Sequence, residues 1–275
     1  MSTRFPRPGA DPFTERTPRV AAARALTKRA GREKAGRFLA EGAQAVREAL
    51  AYGTVHEVFA TEAGAARNTE ILQRADELRL PISLVTDKAA SGLSETITPQ
   101  GILAVCDLLD TPVADALSGD PALVAVLVGV ADPGNAGTVT RVADAAGANA
   151  VLFAGDTVDP HNGKCVRAST GSVFHLPLAR SRDTADVFAR CRAAGLRLVA
   201  ADGHAEVDLD DSIDTGALRA PTAWVFGSEA HGLPEEILSA VDDVVKVPLY
   251  GAAESLNLGT AAAVCLYASA RAQRH

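Results

Sequence analysis

The chain has 275 residues, 47% of them hydrophobic, and a formal net charge of −7. This length suits two domains, and the hydrophobic content is sufficient for sizeable cores. The negative balance excludes a protein that holds nucleic acid by charge over its whole surface. The N-terminus lacks an apolar signal core and no apolar run is long enough to cross a membrane, so we expect a cytoplasmic protein.

Positive charge is concentrated at the start of the chain. Residues 1–50 carry 11 Lys and Arg against 5 Asp and Glu, a balance of +6, and the remaining residues therefore sum to −13. A basic end on an acidic body is typical of a chain that meets a polyanion with that end alone, although a solvated, frayed arm has the same charge pattern. Residues 1–18 are rich in Pro and Arg, which predicts a disordered basic arm.

The first half of the chain predicts a small α/β domain. Residues 20–51 are expected to be helical, with breaks near Gly31 and Gly36. The next predicted elements are a strand at 55–61, a helix at 65–79, a strand at 82–86, a short helix at 88–93 and a strand at 101–108. This alternation predicts an α/β layer domain over residues 19–108. Two prolines within 109–121 indicate a linker.

The second half, 122–275, predicts a larger α/β domain with a mostly parallel sheet. Residues 122–130 form a continuous Val/Leu run, which is typical of a central parallel strand. The predicted elements that follow are helices at 138–146, 163–169, 185–194 and 234–240 and strands at 150–154, 173–176, 197–201, 223–227 and 243–247. The terminal helix is apolar nearly all round, so we expect it to be buried.

The four cysteines, Cys106, Cys165, Cys191 and Cys265, form no CxxC motif and stand at no metal-binding spacing to histidines. Their apolar neighbours predict small buried side chains in a reduced protein, without a metal site.

A Gly-rich loop at 132–138 follows the first strand of the second half. Asn135 can hold this turn, and Arg141 is expected in the first turn of the next helix, where a cation opposes the helix dipole. An unfavourable arginine indicates an anionic partner such as phosphate, while a surface pair with Asp144 is the alternative. The loop has neither GxGxxG spacing nor the Lys-Ser/Thr ending of a P-loop, so both nucleotide motifs are excluded.

Two later loops also follow predicted strands. In the loop 226–234, Ser228 directly follows Gly227, so the G-x-S-x-G spacing of a serine hydrolase is absent. Its glycines allow close approach of backbone to a flat ligand, although an ordinary strand-to-helix turn has the same composition. In the loop 249–258, Ser255 and Asn257 either cap the terminal helix or hold a ligand.

Lys164 and Arg167 lie three residues apart on a predicted helix. The pair suits contact with phosphates, and equally a solvated helix face.

Taken together, these loops resemble the SpoU (TrmH-like) RNA 2′-O-ribose methyltransferases of the SPOUT superfamily. The match extends from about Leu123 to Tyr267. The residues that match its three ordered patterns are Asn135, Gly137 and Arg141, then Gly227, Glu229, Gly232 and Leu233, then Val247-Pro248 and Ser255-Leu256-Asn257. Residues 37–42 and 98–104 are similar to the accessory substrate-binding domain of this family, which has a ribosomal-protein-like α/β fold.

The resemblance implies a C-terminal SPOUT domain with a deep trefoil knot, a homodimer, and S-adenosyl-L-methionine as the methyl donor. The substrate it implies is a ribose 2′-hydroxyl of RNA, with ribosomal RNA ahead of transfer RNA. The catalytic residues it implies are Arg141, Asn135, Glu229, Ser255 and Asn257. The cofactor-binding residues it implies are Phe226, Gly227, Ser228, Glu229, Gly232, Val247, Leu249, Ser255, Leu256 and Leu258.

The candidate RNA contacts come from the basic start of the chain and the short helix between the loops. They are Arg24, Lys28, Arg29, Arg32, Lys34, Arg37, Lys164 and Arg167. Two other functions stay open at this point. One is an RNA-binding protein that uses the fold without catalysis. The other is a nucleotide-dependent oxidoreductase, which the missing glycine fingerprint disfavours.

Overall fold

A computed structural model describes residues 11–228 and 232–274 of the chain. It divides into two compact units. The first comprises the chain up to Leu109 together with His161–Phe174, and the second comprises Asp110–Pro160 and the chain from His175 onward. The division at Leu109 lies at the start of the predicted linker. The segment 161–174, which the sequence placed in the second domain, packs with the first unit instead.

The described elements are numbered in chain order. The helices are α1 (Pro18–Ala25), α2 (Arg29–Ala35), α3 (Ala43–Tyr52), α4 (Glu62–Arg67), α5 (Thr69–Glu77), α6 (Asp87–Leu93), α7 (Val113–Ala116), α8 (Pro133–Ala146), α9 (Gly163–Ser169), α10 (Thr184–Ala193), α11 (Leu209–Asp214), α12 (Glu235–Leu238) and α13 (Leu258–Arg274). The strands are β1 (Arg37–Glu41), β2 (Val55–Ala60), β3 (Ile82–Leu84), β4 (Ile102–Asp107), β5 (Leu123–Val128), β6 (Ala150–Ala154), β7 (Leu178–Ser181), β8 (Arg197–Ala201), β9 (Val207–Asp208), β10 (Thr222–Phe226) and β11 (Asp243–Lys246).

The first unit is built on a four-stranded sheet in the order β1-β4-β2-β3. Strand β4 pairs antiparallel with β1 and β2, and β2 pairs parallel with β3. The prediction of helix over residues 37–41 is wrong, because Gly36 ends α2 in a left-handed conformation and the chain then pairs along β4. Four of the five β1 residues are buried, so pairing and burial override local helix propensity.

The predicted disordered arm is also wrong for its described part, residues 11–18. The amide of Phe13 donates to the Leu84 carbonyl at 2.8 Å, and the amide of Thr86 donates to the Phe13 carbonyl at 3.0 Å. These two bonds attach the segment beside β3, and Pro18 then starts α1. Residues 1–10 lie outside the described residues.

The second unit is built on a seven-stranded sheet in the order β7-β6-β5-β10-β8-β11-β9, with every pairing parallel. All six residues of β5 are buried, as the continuous Val/Leu run predicts. The predicted strand at 173–176 is wrong, since residues 172–174 form a 3-10 turn and the strand β7 begins at Leu178. Within the predicted linker, α7 buries Val113, Ala116 and Leu117 in the core of this unit.

Helix α8 begins five residues before its predicted start. Asp132 caps it, because its Oδ1 accepts the amide of Asn135 at 2.9 Å, and Pro133 occupies the first helical position. Proline is favourable there because its missing N–H has no partner to lose. The Gly-rich segment that the sequence analysis treated as a loop is therefore the first turn of α8.

Helix α13 is buried on one side only. Ala262, Cys265, Leu266 and Ser269 are buried, whereas Tyr267 is 52% exposed. The expectation of an entirely buried terminal helix is therefore wrong for the single chain.

The buried state predicted for the cysteines is confirmed for all four. Burial raises the pKa of the Cys191 and Cys265 thiols to about 12. Among the helices that the structure describes, none is both long and apolar enough to span a bilayer.

A buried hydrogen bond ties α13 to the sheet. The indole Nε1 of Trp224 donates to Ser269 Oγ at 2.8 Å, and both residues are fully buried. Replacing Ser269 with Ala leaves this N–H without an acceptor, and we expect a loss of about 1–3 kcal/mol in the free energy of unfolding. Urea unfolding followed by Trp224 fluorescence measures it.

The matched control is Ser118→Ala. Ser118 is exposed and its hydroxyl donates to the Asp115 carbonyl at 2.7 Å, so its replacement should change stability by less than about 0.5 kcal/mol. Equal unfolding midpoints for the two variants would contradict the structural importance of the Trp224–Ser269 bond.

Candidate active site

The three loops singled out in the sequence leave the same edge of the parallel sheet. They follow the carboxyl ends of β5, β10 and β11, which run parallel to one another through β8. Ligands of open α/β sheets bind beyond the carboxyl ends of their strands. The topology therefore places the candidate residues of the three loops on the side where such a site forms.

A direct contact joins the first loop to the third. Nδ2 of Asn257 donates to Oδ1 of Asn135 at 3.0 Å, although 122 positions separate the two residues. Oδ1 of Asn257 also accepts the amide of Gly259 at 2.9 Å, at the start of α13. Asn257 thus acts as a helix cap, one of the two roles that the sequence left open, and also as a link between loops, which the sequence did not predict.

Close packing of α8 on α13 holds this contact in place. A Cβ atom on Gly259 would lie 2.5 Å from Cγ2 of Thr138, so only glycine allows this approach of the two helices. Thr138 stands one turn after Asn135 on α8. The distance between the two asparagines is therefore fixed by the helix packing beneath them.

The two described ends of the second loop are hydrogen-bonded to each other. Ser228 and Gly232 exchange two backbone hydrogen bonds, at 3.2 and 2.9 Å. A Cβ on Gly227 would lie 2.5 Å from the Gly232 carbonyl, and Gly232 has a φ of +62°, so both positions require glycine. Glu229, predicted as a catalytic and cofactor residue, lies outside the described residues. The Phe226 ring is buried beside Trp224, so only the Phe226 backbone is available to a ligand, which corrects any side-chain role.

The third loop is largely exposed. Leu249 is 40% exposed, Ser255 is exposed, and the other predicted cofactor residues of this loop, Val247, Leu256 and Leu258, are half-buried. Exposed apolar side chains beside tight glycine turns fit a flat heterocycle and a sugar, because such sites combine apolar walls with a few polar backbone groups. The apolar side chains of the third loop and the glycine positions of the second loop therefore suit the adenosine part of S-adenosylmethionine.

Tyr250 is a residue of this loop that the sequence analysis missed. Its hydroxyl donates to Oδ2 of Asp210 at 2.6 Å, a bond that raises the pKa of Tyr250 and ties the third loop to α11. No local pattern could have found the pair, because 40 positions separate its members.

Arg141 lies in the third turn of α8, not in the first, so the prediction of a clash with the helix dipole is wrong. The alternative pair with Asp144 does not form, since Oδ2 of Asp144 contacts Nδ1 of His175 at 2.8 Å. Arg141 is exposed and makes no hydrogen bond or ion pair within the described part of the chain. Its charge is thus left for an external anion.

The predicted RNA contacts divide into buried, paired and exposed residues. Arg32 is only 3% exposed and donates through Nη1 to the carbonyls of Leu26 and Thr27, so it stabilises the α1–α2 connection and cannot contact RNA. The paired residues are Arg24 with the Glu15 carbonyl, Arg29 with Glu33, Arg37 with Asp107 and Arg167 with Glu41. The exposed lysines are Lys28, Lys34 and Lys164. In the described ranges, no group of three His, Cys, Asp or Glu residues is placed to hold a metal ion.

Two family models match the chain in succession. Residues 17–104 match the MRM3-like substrate binding domain, and residues 122–267 match the SpoU rRNA Methylase family. The second match contains all three loops that follow the carboxyl ends of β5, β10 and β11.

Relatives and solved structures agree with these models. The chain is 34% identical to the 23S rRNA (guanosine(2553)-2′-O)-methyltransferase RlmP of Bacillus subtilis. The matched region covers 86% of this chain and 89% of that protein. It superposes on an AdoMet-bound rRNA methyltransferase of Sinorhizobium meliloti with a TM-score of 0.79 and 29% identity, over 95% of this chain and 97% of that one. An RNA 2′-O ribose methyltransferase structure gives a TM-score of 0.78 and 34% identity, over 96% and 99% of the two chains. The chain belongs to the SpoU rRNA methylase family.

Proposed function

We propose that this protein transfers a methyl group from S-adenosylmethionine to a ribose 2′-hydroxyl of 23S ribosomal RNA. The observation that carries the proposal is the Asn135–Asn257 bond, which unites two of the three family motifs at the carboxyl edge of the sheet. The curated relatives named 23S rRNA 2′-O-methyltransferases and the AdoMet-bound structural neighbour support the substrate and the cofactor.

Different residues at this edge of the sheet contact the two ligands, the cofactor and the target ribose. The turn from Gly227 to Gly232 and the loop from Leu249 to Leu258 hold the cofactor through backbone groups and apolar side chains. When bound, the cofactor supplies an electrophilic methyl group on its sulfonium. Asn135 and Asn257 orient the ribose, because a hydroxyl must be aligned with the methyl carbon before in-line transfer. Ser255 lies on the same loop as Asn257 and assists in this, and the resemblance implies the same role for Glu229, which lies outside the described residues.

The role of Arg141 is electrostatic. A guanidinium group stays protonated in proteins and is therefore a poor base, but it binds phosphate well. Because Arg141 has no ion pair within the described residues, it is available to a phosphate beside the target ribose. There it also stabilises the negative charge that develops on the 2′-oxygen as the proton leaves, a form of electrostatic catalysis.

The proposal also includes the knotted fold and the homodimer that the family resemblance implies. Val264, 39% exposed, and Tyr267 form an exposed apolar strip on α13, and α13 packs on α8, which carries Asn135 and Arg141. A second copy that covers this strip would lie beside the catalytic helix and complete the cleft. Burial of apolar surface supplies the driving force for such an association.

Replacing Arg141 with Ala tests the catalytic role. We expect kcat for methyl transfer to unmodified 23S rRNA to fall about 100- to 1,000-fold, because one stabilising group of the transition state is lost. The affinity for S-adenosylmethionine, measured by calorimetry, should stay within about twofold. Mapping of 2′-O-methyl positions in the product identifies the ribose that the native protein modifies.

The control is Arg190→Ala, an exposed arginine on α10 that pairs with Asp186. It should leave kcat unchanged. Near-normal turnover of the Arg141 variant would refute the catalytic assignment, and wild-type protein that binds RNA without methylating it would identify a non-catalytic binder.

Variants of the basic segment that contains α1 and α2 test whether the first unit binds the RNA substrate. Residues 16–37 hold eight Lys and Arg and one Glu. Replacing Lys28, Arg29 and Lys34 together with Gln should weaken 23S rRNA binding. The slope of log K against log salt should become shallower by about 0.7–0.9 for each lost phosphate contact. Filter binding across a salt series measures both effects.

Arg74→Gln on α5 removes one exposed arginine, which is paired with Glu77, and is the control for the loss of a single charge outside α1 and α2. If the triple variant keeps the wild-type salt slope, these helices do not contact the phosphates.

A further inference from the structure

The first unit contains a polar pocket that the proposed reaction does not use. Its volume is about 200 Å³, and it lies between the end of β1, the loop that precedes β4, and α9. This is smaller than the roughly 300–1,000 Å³ of typical small-molecule sites and has room for a single planar ring system. The side chains that matter to its chemistry are Glu41, Thr96, Thr98, Gln100, Arg167 and Thr170.

A buried carboxylate forms the rear wall of the pocket. Glu41 is 7% exposed, and its carboxylate accepts hydrogen bonds from Ser94 Oγ, from Thr96 Oγ1 at 2.9 Å and from Arg167 Nη1 at 2.8 Å. These bonds fasten the 94–100 loop and α9 to the same strand. The pocket is therefore held open by a connected polar network, which favours one arrangement when every member is satisfied.

Several hydrogen-bonding groups of the pocket remain available. Gln100 uses Oε1 to accept the amide of Ala43 at 3.0 Å, which leaves its Nε2 as a donor. Thr98 is exposed, and its hydroxyl has no hydrogen-bond partner among the described residues. Arg167 has five N–H donors, and in the described part of the chain only Nη1 is engaged, with Glu41. The pocket thus offers donors and acceptors in a small space.

An exposed isoleucine lies between two residues that line this pocket. Ile97 has the full solvent exposure of an unpacked side chain, 101%, while its two neighbours Thr96 and Thr98 line the pocket. Exposure of an apolar side chain to water is unfavourable in free energy. Ile97 gains contact area if a flat apolar surface is brought against it.

The charges of the pocket select the class of ligand. Arg167 neutralises Glu41, so the lining presents no net charge from this pair to an incoming group. Phosphate groups are bound by uncompensated cations, whereas unpaired bases are bound by hydrogen bonds to their edges and by packing against their faces. A pocket with hydrogen-bonding side chains, apolar surface and no net charge from this pair, next to the exposed Ile97, therefore fits a nucleobase better than a phosphate.

We propose that this pocket binds one unpaired nucleobase of the RNA substrate and that Ile97 packs against the face of an adjacent base. Apolar side chains in nucleic-acid binding proteins insert between bases in this way. The inference rests on the proposed function to the extent that it takes RNA as the substrate. It assigns to the first unit a base-reading site separate from the phosphate contacts of α1 and α2.

The test combines Ile97→Ala with Thr98→Val in the full-length protein. The probe is the 23S rRNA of the source organism, transcribed without modifications, and filter binding at several salt concentrations gives Kd. We expect Kd and the KM for RNA to rise about tenfold, the scale of one lost base contact. The salt slope, kcat and the calorimetric affinity for S-adenosylmethionine should not change.

The control pair, Leu78→Ala with Thr69→Val, makes the same chemical changes at the two ends of α5 in the same unit, at exposed positions outside the pocket. A Kd for the Ile97/Thr98 variant within twofold of this control would overturn the proposal. A shallower salt slope would also overturn it, since the pocket would then hold phosphate. If the wild type binds the transcript but does not methylate it, the proposed function fails, and the Kd comparison still decides for or against the base-binding pocket.

Discussion

The arrangement of the active edge depends on one hydrogen bond between two amides, Asn257 to Asn135. The bond joins the first turn of α8 to the residue that caps α13, and the bare backbone of Gly259 lets the two helices approach. An amide is suited to this place because it can donate to one partner and accept from another at the same time. Asn257 therefore connects the first loop to the start of α13 through the two ends of one side chain.

On helix α8, Arg141 has no ion pair within the described residues. Asp132 is occupied as the cap of α8, and Asp144 is occupied by His175, so neither is available to neutralise Arg141 on the same helix. In the first unit the reverse holds, because Arg167 is paired with the buried Glu41. The two proposed RNA contacts therefore differ in chemistry: an exposed charge is proposed to bind a phosphate near the reacting sugar, and a pocket without net charge is proposed to bind a base.

Much of the second unit could be predicted from sequence because its strands β5, β6 and β10 are buried throughout and read as continuous apolar runs. The start of α8 was missed because Pro133 and two glycines resemble a turn, although an Asp followed by Pro is also a helix start. Strand β1 was missed because only its pairing with β4 distinguishes it from the end of a helical stretch.

The three motif loops could be identified from residue spacing, but their contacts could not. The Asn135–Asn257 bond spans 122 positions, and the Glu41–Arg167 pair, which places the segment 161–174 in the first unit, spans 126. Pairings at such separations are set by the packing of whole helices and sheets, so no local pattern records them. The pocket beside Ile97 could not be predicted from the sequence for the same reason, since its walls come from three distant parts of the chain.

A double-mutant cycle on Asn135 and Asn257 tests most directly whether the first and third loops act as one site. Methyl transfer to 23S rRNA is measured for Asn135→Ala, Asn257→Ala and the double variant, and the changes in log kcat/KM are compared. The account predicts a coupling of about 1 kcal/mol or more, so that the double variant loses clearly less than the sum of the single losses. Strictly additive losses would contradict it, because the two amides would then contribute to transfer independently.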